Sequence, residues 1–143
     1  MNQEYENPVL CASCGKNNIT ISHVEDKFVY GEGSSSAQLV AIVSMHTCNV
    51  CGFQFLDNKA EDSHHEAVCR HLGVLTPSQI RALRTRLGLT RTAFANLTRL
   101  EENTLAEWER GASIQTAAYD QFLYLLFDSS NVQKLKLRNR IIE

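Results

Sequence analysis

Two C-x-x-C-G units, Cys11-Ala-Ser-Cys14-Gly15 and Cys48-Asn-Val-Cys51-Gly52, stand thirty-three residues apart and limit what the first half of this chain can fold into. Two residues between cysteines let a tight turn aim both sulfurs at one ion, and the glycine that follows permits the positive φ such a turn needs. Two such turns supply four thiolates, the ligand set of a closed tetrahedral site with no open position for catalysis. Cys11, Cys14, Cys48 and Cys51 are therefore the candidate ligands of one structural Zn2+. A redox C-x-x-C pair belongs on a βαβ unit, and no such pattern surrounds either motif. A module of about fifty residues has little core and needs a staple, which zinc can supply.

Between the cysteine pairs the pattern is that of strands. Residues 18–24 (NITISHV) and 38–45 (QLVAIVSM) are rich in β-branched and aliphatic side chains, with Phe28 and Tyr30 alternating between them. Residues 31–36 (GEGSSS) read as a hairpin tip. His46 is read as a strand-end surface histidine rather than a replacement for one of the ligands. Val68, Leu72 and Leu75 then fall at i, i+4 and i+7, which predicts a linker helix ending near Gly73. His64, His65, Cys69 and His71 lie on that helix and are read as a polar face with an incidental structural thiol.

From Thr76 onward the chain is helical with short breaks. Thr76-Pro77-Ser78-Gln79 has the form of a capping box with proline in the first turn. Ile80, Leu83 and Leu87 mark one helix, stopped at Gly88, and Thr90 caps a second with Phe94, Ala95 and Leu97. A third runs over about 102–110 with Leu105 and Trp108, a fourth over about 116–127, and the tail forms a fifth or frays. The expected class is α+β, with a zinc-stapled β domain (residues 1–58), a linker helix (59–75) and an all-α domain (76–143).

Charge divides along the same line. Residues 1–70 carry four Lys/Arg against nine Asp/Glu, a net −5, whereas residues 71–143 carry ten against seven, a net +3. An acidic half joined to a basic half suggests two partners, one of them phosphate. No apolar run reaches the eighteen residues of a membrane span, and the polar, acidic N-terminus is unlike a secretory signal. The expectation is a cytoplasmic protein with reduced thiols and no membrane partner.

The stretch LTPSQIRALRTRLGLTRTAFANL, followed by EENTLAEWERG, resembles the XRE/Cro-type helix-turn-helix family. That resemblance implies double-stranded DNA as a partner and a DNA-facing set of Thr90, Arg91, Thr92, Arg99, Glu102, Asn103, Thr104 and Glu107. Glu102, Asn103 and Glu107 fall at base-reading positions; asparagine can pair with adenine and glutamate can accept from cytosine N4. Thr90 and Arg91 lie at a helix N-terminus suited to phosphate. It also implies a structural ion pair between Arg84 and Glu109. Arg99 stands where the family's turn has glycine, so a left-handed backbone is expected there or a different turn.

The zinc motif followed by a linker helix and this domain is similar to the MqsA/YgiT-type antitoxins of toxin–antitoxin systems, over about residues 8–130. Membership would imply a homodimer that represses its own operon and binds a toxin protein through residues 1–70, with no enzymatic activity. Glu107 stands where those proteins carry arginine, so their operator sequence does not transfer. The alternative is a stand-alone transcription factor of a mobile-element or defence operon, without a toxin. A thiol oxidoreductase is the third and least favoured reading.

Overall fold

A computed structural model describes residues 9–142. The chain is mixed α+β, a three-stranded antiparallel sheet followed by six helices, and divides into two compact units between Ala67 and Val68.

In the first unit β1 (Ile19–Tyr30) and β2 (Ala37–Cys48) form a long hairpin, and β3 (Gln54–Leu56) pairs with the end of β2, giving the order β1-β2-β3. The strands β1 and β2 are twelve residues each, longer than the two apolar segments of the sequence. Pairing continues through Glu25, Asp26 and Lys27 because alternation keeps Val24 and Phe28 on one face, opposite Val43 and Leu39. That face meets α1 (Lys59–Leu72). Its core is made of small side chains: Ala41, Val43, Ala60 and Ala67, with Val24 and Phe28 packed against them. So little buried apolar area leaves the unit short of stabilisation.

Asp26 lies on the same strand face, and the ring of His64 on α1 answers it. His64 Nε2 is 2.6 Å from Asp26 Oδ2, and its ring stacks on Phe28 at 4.4 Å between centroids. His64 is thus a fastening between helix and sheet, where the sequence suggested a member of a solvated polar face.

The helix α1 ends as expected near Gly73, which takes φ 72° while Val74 N–H bonds back to Cys69 O. The division between units falls inside α1, so the segment read as a linker gives Ala60 and Ala67 to the core of the β unit.

The second unit contains α2 (Pro77–Arg86), α3 (Arg91–Thr98), α4 (Glu102–Glu109), α5 (Ala117–Leu125) and α6 (Ser129–Ile142). Its core is of a different order: Ile80, Leu83, Phe94, Leu97, Leu105, Trp108, Leu123 and Leu126 are all buried together. The capping box at Thr76 and Gln79 is complete, with Thr76 accepting from Gln79 N–H and Gln79 from Thr76 N–H. Thr90 and Thr116 cap α3 and α5 one way only, their hydroxyls accepting from Ala93 N–H and Tyr119 N–H. The tail is helical, Val132 enters the core, and Asn139 Nδ2 donates to Leu97 O at 3.1 Å.

One polar lock joins the start of α2 to α5. The buried Asp120 accepts from Leu75 N–H (2.8 Å) and from Gln115 Nε2 (3.1 Å), and the same Gln115 nitrogen donates to Leu75 O (2.9 Å). Asp120→Ala leaves those donors unmatched, so chemical denaturation should show a loss of about 1–3 kcal/mol. A loss below measurement error would contradict the lock.

Candidate functional site

The two cysteine turns have the same backbone. Cys11 N–H bonds to Lys16 O (3.0 Å) and Gly15 N–H returns to Cys11 O (3.0 Å); Cys48 N–H bonds to Phe53 O (2.9 Å) and Gly52 N–H returns to Cys48 O (2.9 Å). Gly15 and Gly52 take φ 74° and 79°, which a Cβ would strain. The expected role of both glycines is thus met by matching turns at the two ends of the hairpin's open side.

The second turn is tied to the first strand. Asn49 N–H donates to Asn18 O (2.9 Å), and Asn49 Nδ2 donates to Asn18 Oδ1 (3.0 Å) and Thr20 Oγ1 (2.8 Å). Register does the rest: Ile19 pairs with Cys48, so the start of β1 and the end of β2 place both turns together. The four sulfurs all lie within 4.8 Å of one another, with Cys11–Cys51 and Cys14–Cys48 both at 3.6 Å. Tetrahedral thiolates about 2.3 Å from a common ion have edges of roughly 3.8 Å. The donor set and its spacing fit a single metal ion, and Cys11, Cys14, Cys48 and Cys51 can hold one.

Backbone donors prepare the sulfurs for that task. Donation from Cys14 N–H is the main influence that holds the Cys11 thiol down at about 6, with Ser13 N–H and the neighbouring thiols acting the same way against burial. Cys48 is lowered too, first by Cys51 N–H. For Cys14, Lys16 N–H pulls downward, but burial and the sulfurs of Cys48, Cys11 and Cys51 outweigh it and the thiol is pushed up to about 11. Cys14 therefore holds its proton to higher pH than Cys11 does. Metal affinity should rise with pH up to about 11, as the Cys14 proton becomes easier to displace. Below the Cys11 value of about 6 that thiol's proton must be displaced as well, and affinity should fall more steeply. Competition against a chromophoric chelator measures this, and a pH-independent affinity would contradict four-thiolate ligation.

His46 is not at the surface. It is 2% exposed, its ring stacks on Phe55 at 5.1 Å, and Nε2 lies 3.8 Å from Asp57 Oδ2, while Nδ1 has no hydrogen-bond partner among the described residues. The expectation of a surface histidine fails because β3 pairs Phe55 beside His46 and its ring covers the imidazole. Alternation alone gave no signal, since Val40 and Ile42 on the same strand face are exposed.

In the helical unit, α3 and α4 are joined by a three-residue turn, Arg99 to Glu101. Arg99 does take a left-handed backbone, φ 62° and ψ 20°. It is the only positive-φ residue other than glycine among the described residues. Thr98 closes the helix behind it, donating to Phe94 O (2.8 Å) and accepting from Leu100 N–H (3.3 Å).

Glu109 sits at the centre of the unit's charges, 3% exposed. Arg84 Nε meets Oε1 at 2.7 Å, as the family resemblance implied, and Arg91 Nε meets Oε2 at 2.8 Å. Arg81 adds a bond to Glu109 O. The hydrogen bond and charge of Glu109 raise the Arg91 guanidinium above its ordinary value. Arg81 and Arg91 were not foreseen here, although Arg81 and Arg84 share a face of α2 at i, i+3. Replacing Glu109 by Ala leaves two guanidinium groups facing each other, so a loss of roughly 3–5 kcal/mol is expected in denaturant unfolding; a loss under about 1 kcal/mol would sink the assignment.

The residues expected to face DNA lie at the start of α3, on α4 and in the turn between them. Glu102, Asn103 and Glu107 are exposed on α4, and Thr104 is half-buried. Thr90 and Thr92 are exposed at the start of α3, Arg99 is exposed at the turn, and Arg91 is engaged by Glu109. Glu102 accepts from Thr92 Oγ1 (2.9 Å) and Glu107 from Ser113 Oγ (3.3 Å). Residues 71–128 carry six Lys/Arg and six Asp/Glu, so the basic excess of this half lies on α6, with Lys134, Lys136, Arg138, Arg140 and no acid. No helix among the described residues is long and apolar enough to cross a membrane.

No family model, curated protein or solved structure matches the chain.

Proposed function

We infer that the chain is a sequence-specific DNA-binding transcriptional regulator, an antitoxin-like autorepressor whose zinc-stapled N-terminal unit binds a partner protein. The observation that carries the DNA reading is α4 itself. It projects Asn103 and Glu107 one turn apart into solvent, while Leu105, Trp108 and the Glu109 cluster hold its other face rigidly against α2 and α3. A helix fixed behind a tight turn, with amide and carboxylate groups outward, is what reading base edges in the major groove requires.

The negative charge of α4 is smaller than its three glutamates suggest. Glu109 is neutralised by Arg84 and Arg91, while Glu102 and Glu107 keep their charge and are oriented by the hydroxyls of Thr92 and Ser113. Arg99 and the basic α6 supply the attraction for phosphate. Zinc is the ion best suited to four thiolates in a closed site, and its role here is structural.

For the partner protein, support comes from the hairpin. Ile21, Val29, Val40 and Ile42 lie on the sheet face opposite α1 and are exposed, in a half with net charge −5. Exposed apolar side chains on an acidic module suit a basic protein ligand, such as a toxin.

A mobility-shift titration with the gene's own upstream region tests the regulator reading. Binding should weaken steeply as salt rises, and Asn103→Ala should cost about 1–3 kcal/mol with loss of discrimination at one base position. Binding that ignores salt, or that Asn103→Ala leaves untouched, would overturn the assignment. Co-purification with the product of an adjacent reading frame tests the toxin arm separately.

A further inference from the structure

A cavity of about 430 Å³ opens beside the turn between α3 and α4, lined by Arg99, Leu100, Glu101, Thr104, Trp108 and Tyr119. That is the size of a small-molecule site. Two aromatic rings belong to its wall: Trp108 and Tyr119 lie 5.6 Å apart between centroids, tilted by 45°. Leu100, half-buried, adds an apolar surface.

The polar groups around this cavity lack partners of their own. The Arg99 guanidinium and the Glu101 carboxylate line it together, yet neither pairs with the other or with any described residue. Glu101 stands at the N-cap of α4 but makes no side-chain capping bond, so it leaves the opening N–H groups of that helix unsatisfied. Trp108 is 4% exposed, and its indole N–H has no hydrogen-bond partner among the described residues. A buried indole normally finds an acceptor. Among the described residues the one fully buried side-chain polar atom without a partner is His46 Nδ1. The Trp108 N–H therefore keeps access to solvent, and the cavity is the opening that its side chain lines. Arg99 in turn is held on a left-handed backbone, φ 62°, where glycine would carry no strain. Strain of this kind collects at ligand sites.

These groups select one ligand chemistry. A cation and an anion two residues apart disfavour a ligand of single charge, since an anion meets Glu101 and a cation meets Arg99. A molecule that carries both charges satisfies both, and a flat ring suits the aromatic wall. We propose that the cavity binds a free aromatic α-amino acid. Its carboxylate takes Arg99 and the Trp108 N–H, its ammonium takes Glu101, and its ring lies against Tyr119 and Leu100. Arg99 and Thr104 also belong to the set expected to face DNA, so the occupant would compete with phosphate there. Binding itself is read without DNA and does not rest on the regulator reading.

Trp108 is the only tryptophan of the chain, so its fluorescence reports on the cavity in the full-length protein without a label. Titration with L-phenylalanine should give a saturable change with a Kd of about 1 mM or tighter. 3-Phenylpropionate and phenethylamine, each lacking one of the two charges, should bind at least about tenfold more weakly. Arg99→Gly suits the left-handed backbone, so circular dichroism should find it folded while L-phenylalanine affinity falls about tenfold or more. Glu101→Gln should weaken L-phenylalanine but tighten 3-phenylpropionate, an inversion that a merely structural role would not produce. No saturable change at about 10 mM L-phenylalanine, equal binding of the three ligands, or an affinity that Arg99→Gly leaves intact would each overturn the proposal. Displacement of L-phenylalanine by an equal concentration of inorganic phosphate would overturn it too, and assign the cavity to a phosphate contact.

Discussion

The first unit rests on the convergence of four sulfurs from positions far apart in sequence. Apart from them its core is alanine, valine and one phenylalanine, too little apolar area to hold two twelve-residue strands against one helix. A structural metal site supplies on the order of 10 kcal/mol at neutral pH, as much as all the apolar burial of such a core. The ion would also fix the shape: with both turns clamped, the register Ile19 to Cys48 is set, and from it the whole hairpin and its inner and outer faces follow. The apolar outer face and the His64 fastening are both consequences of that register.

The second unit needs no such clamp. It buries phenylalanine, tryptophan, isoleucine and several leucines, and spends its polar contacts on orientation. Glu109 is the clearest case, since one carboxylate binds arginines of α2 and α3 from the end of α4. The ion cluster stabilises little beyond a well-packed apolar alternative, but it fixes the angle at which α4 meets its neighbours. Rigidity there would serve the proposed function, because base recognition tolerates little displacement of the reading side chains. The left-handed Arg99 belongs to the same economy: about 1 kcal/mol of backbone strain keeps a cation at the turn where glycine would have been easier.

Much of this was legible in the sequence because the signals were local. Caps at Thr76 and Thr90, stops at Gly73 and Gly88, and the two cysteine turns each depend on a few adjacent residues. Helical spacing pointed to the inward residues of α2 to α4 for the same reason. What was missed depends on pairings across distance. The role of His64 needs the position of Asp26 in β1, and the burial of His46 needs the register that brings Phe55 beside it. The link from Arg91 to Glu109 joins helices that the sequence separates, so the arginine at the head of α3 read as a phosphate contact. The length of the strands was underestimated because Glu25, Asp26 and Lys27 look like a break, whereas only alternate positions must be apolar.

Metal content of the purified full-length chain tests the central claim most directly. Elemental analysis combined with native mass spectrometry should find one zinc ion per chain, and Cys48→Ser should lose both the ion and the hairpin's β signature in circular dichroism. A chain that purifies without stoichiometric metal and keeps that signature after exhaustive chelation would contradict the account.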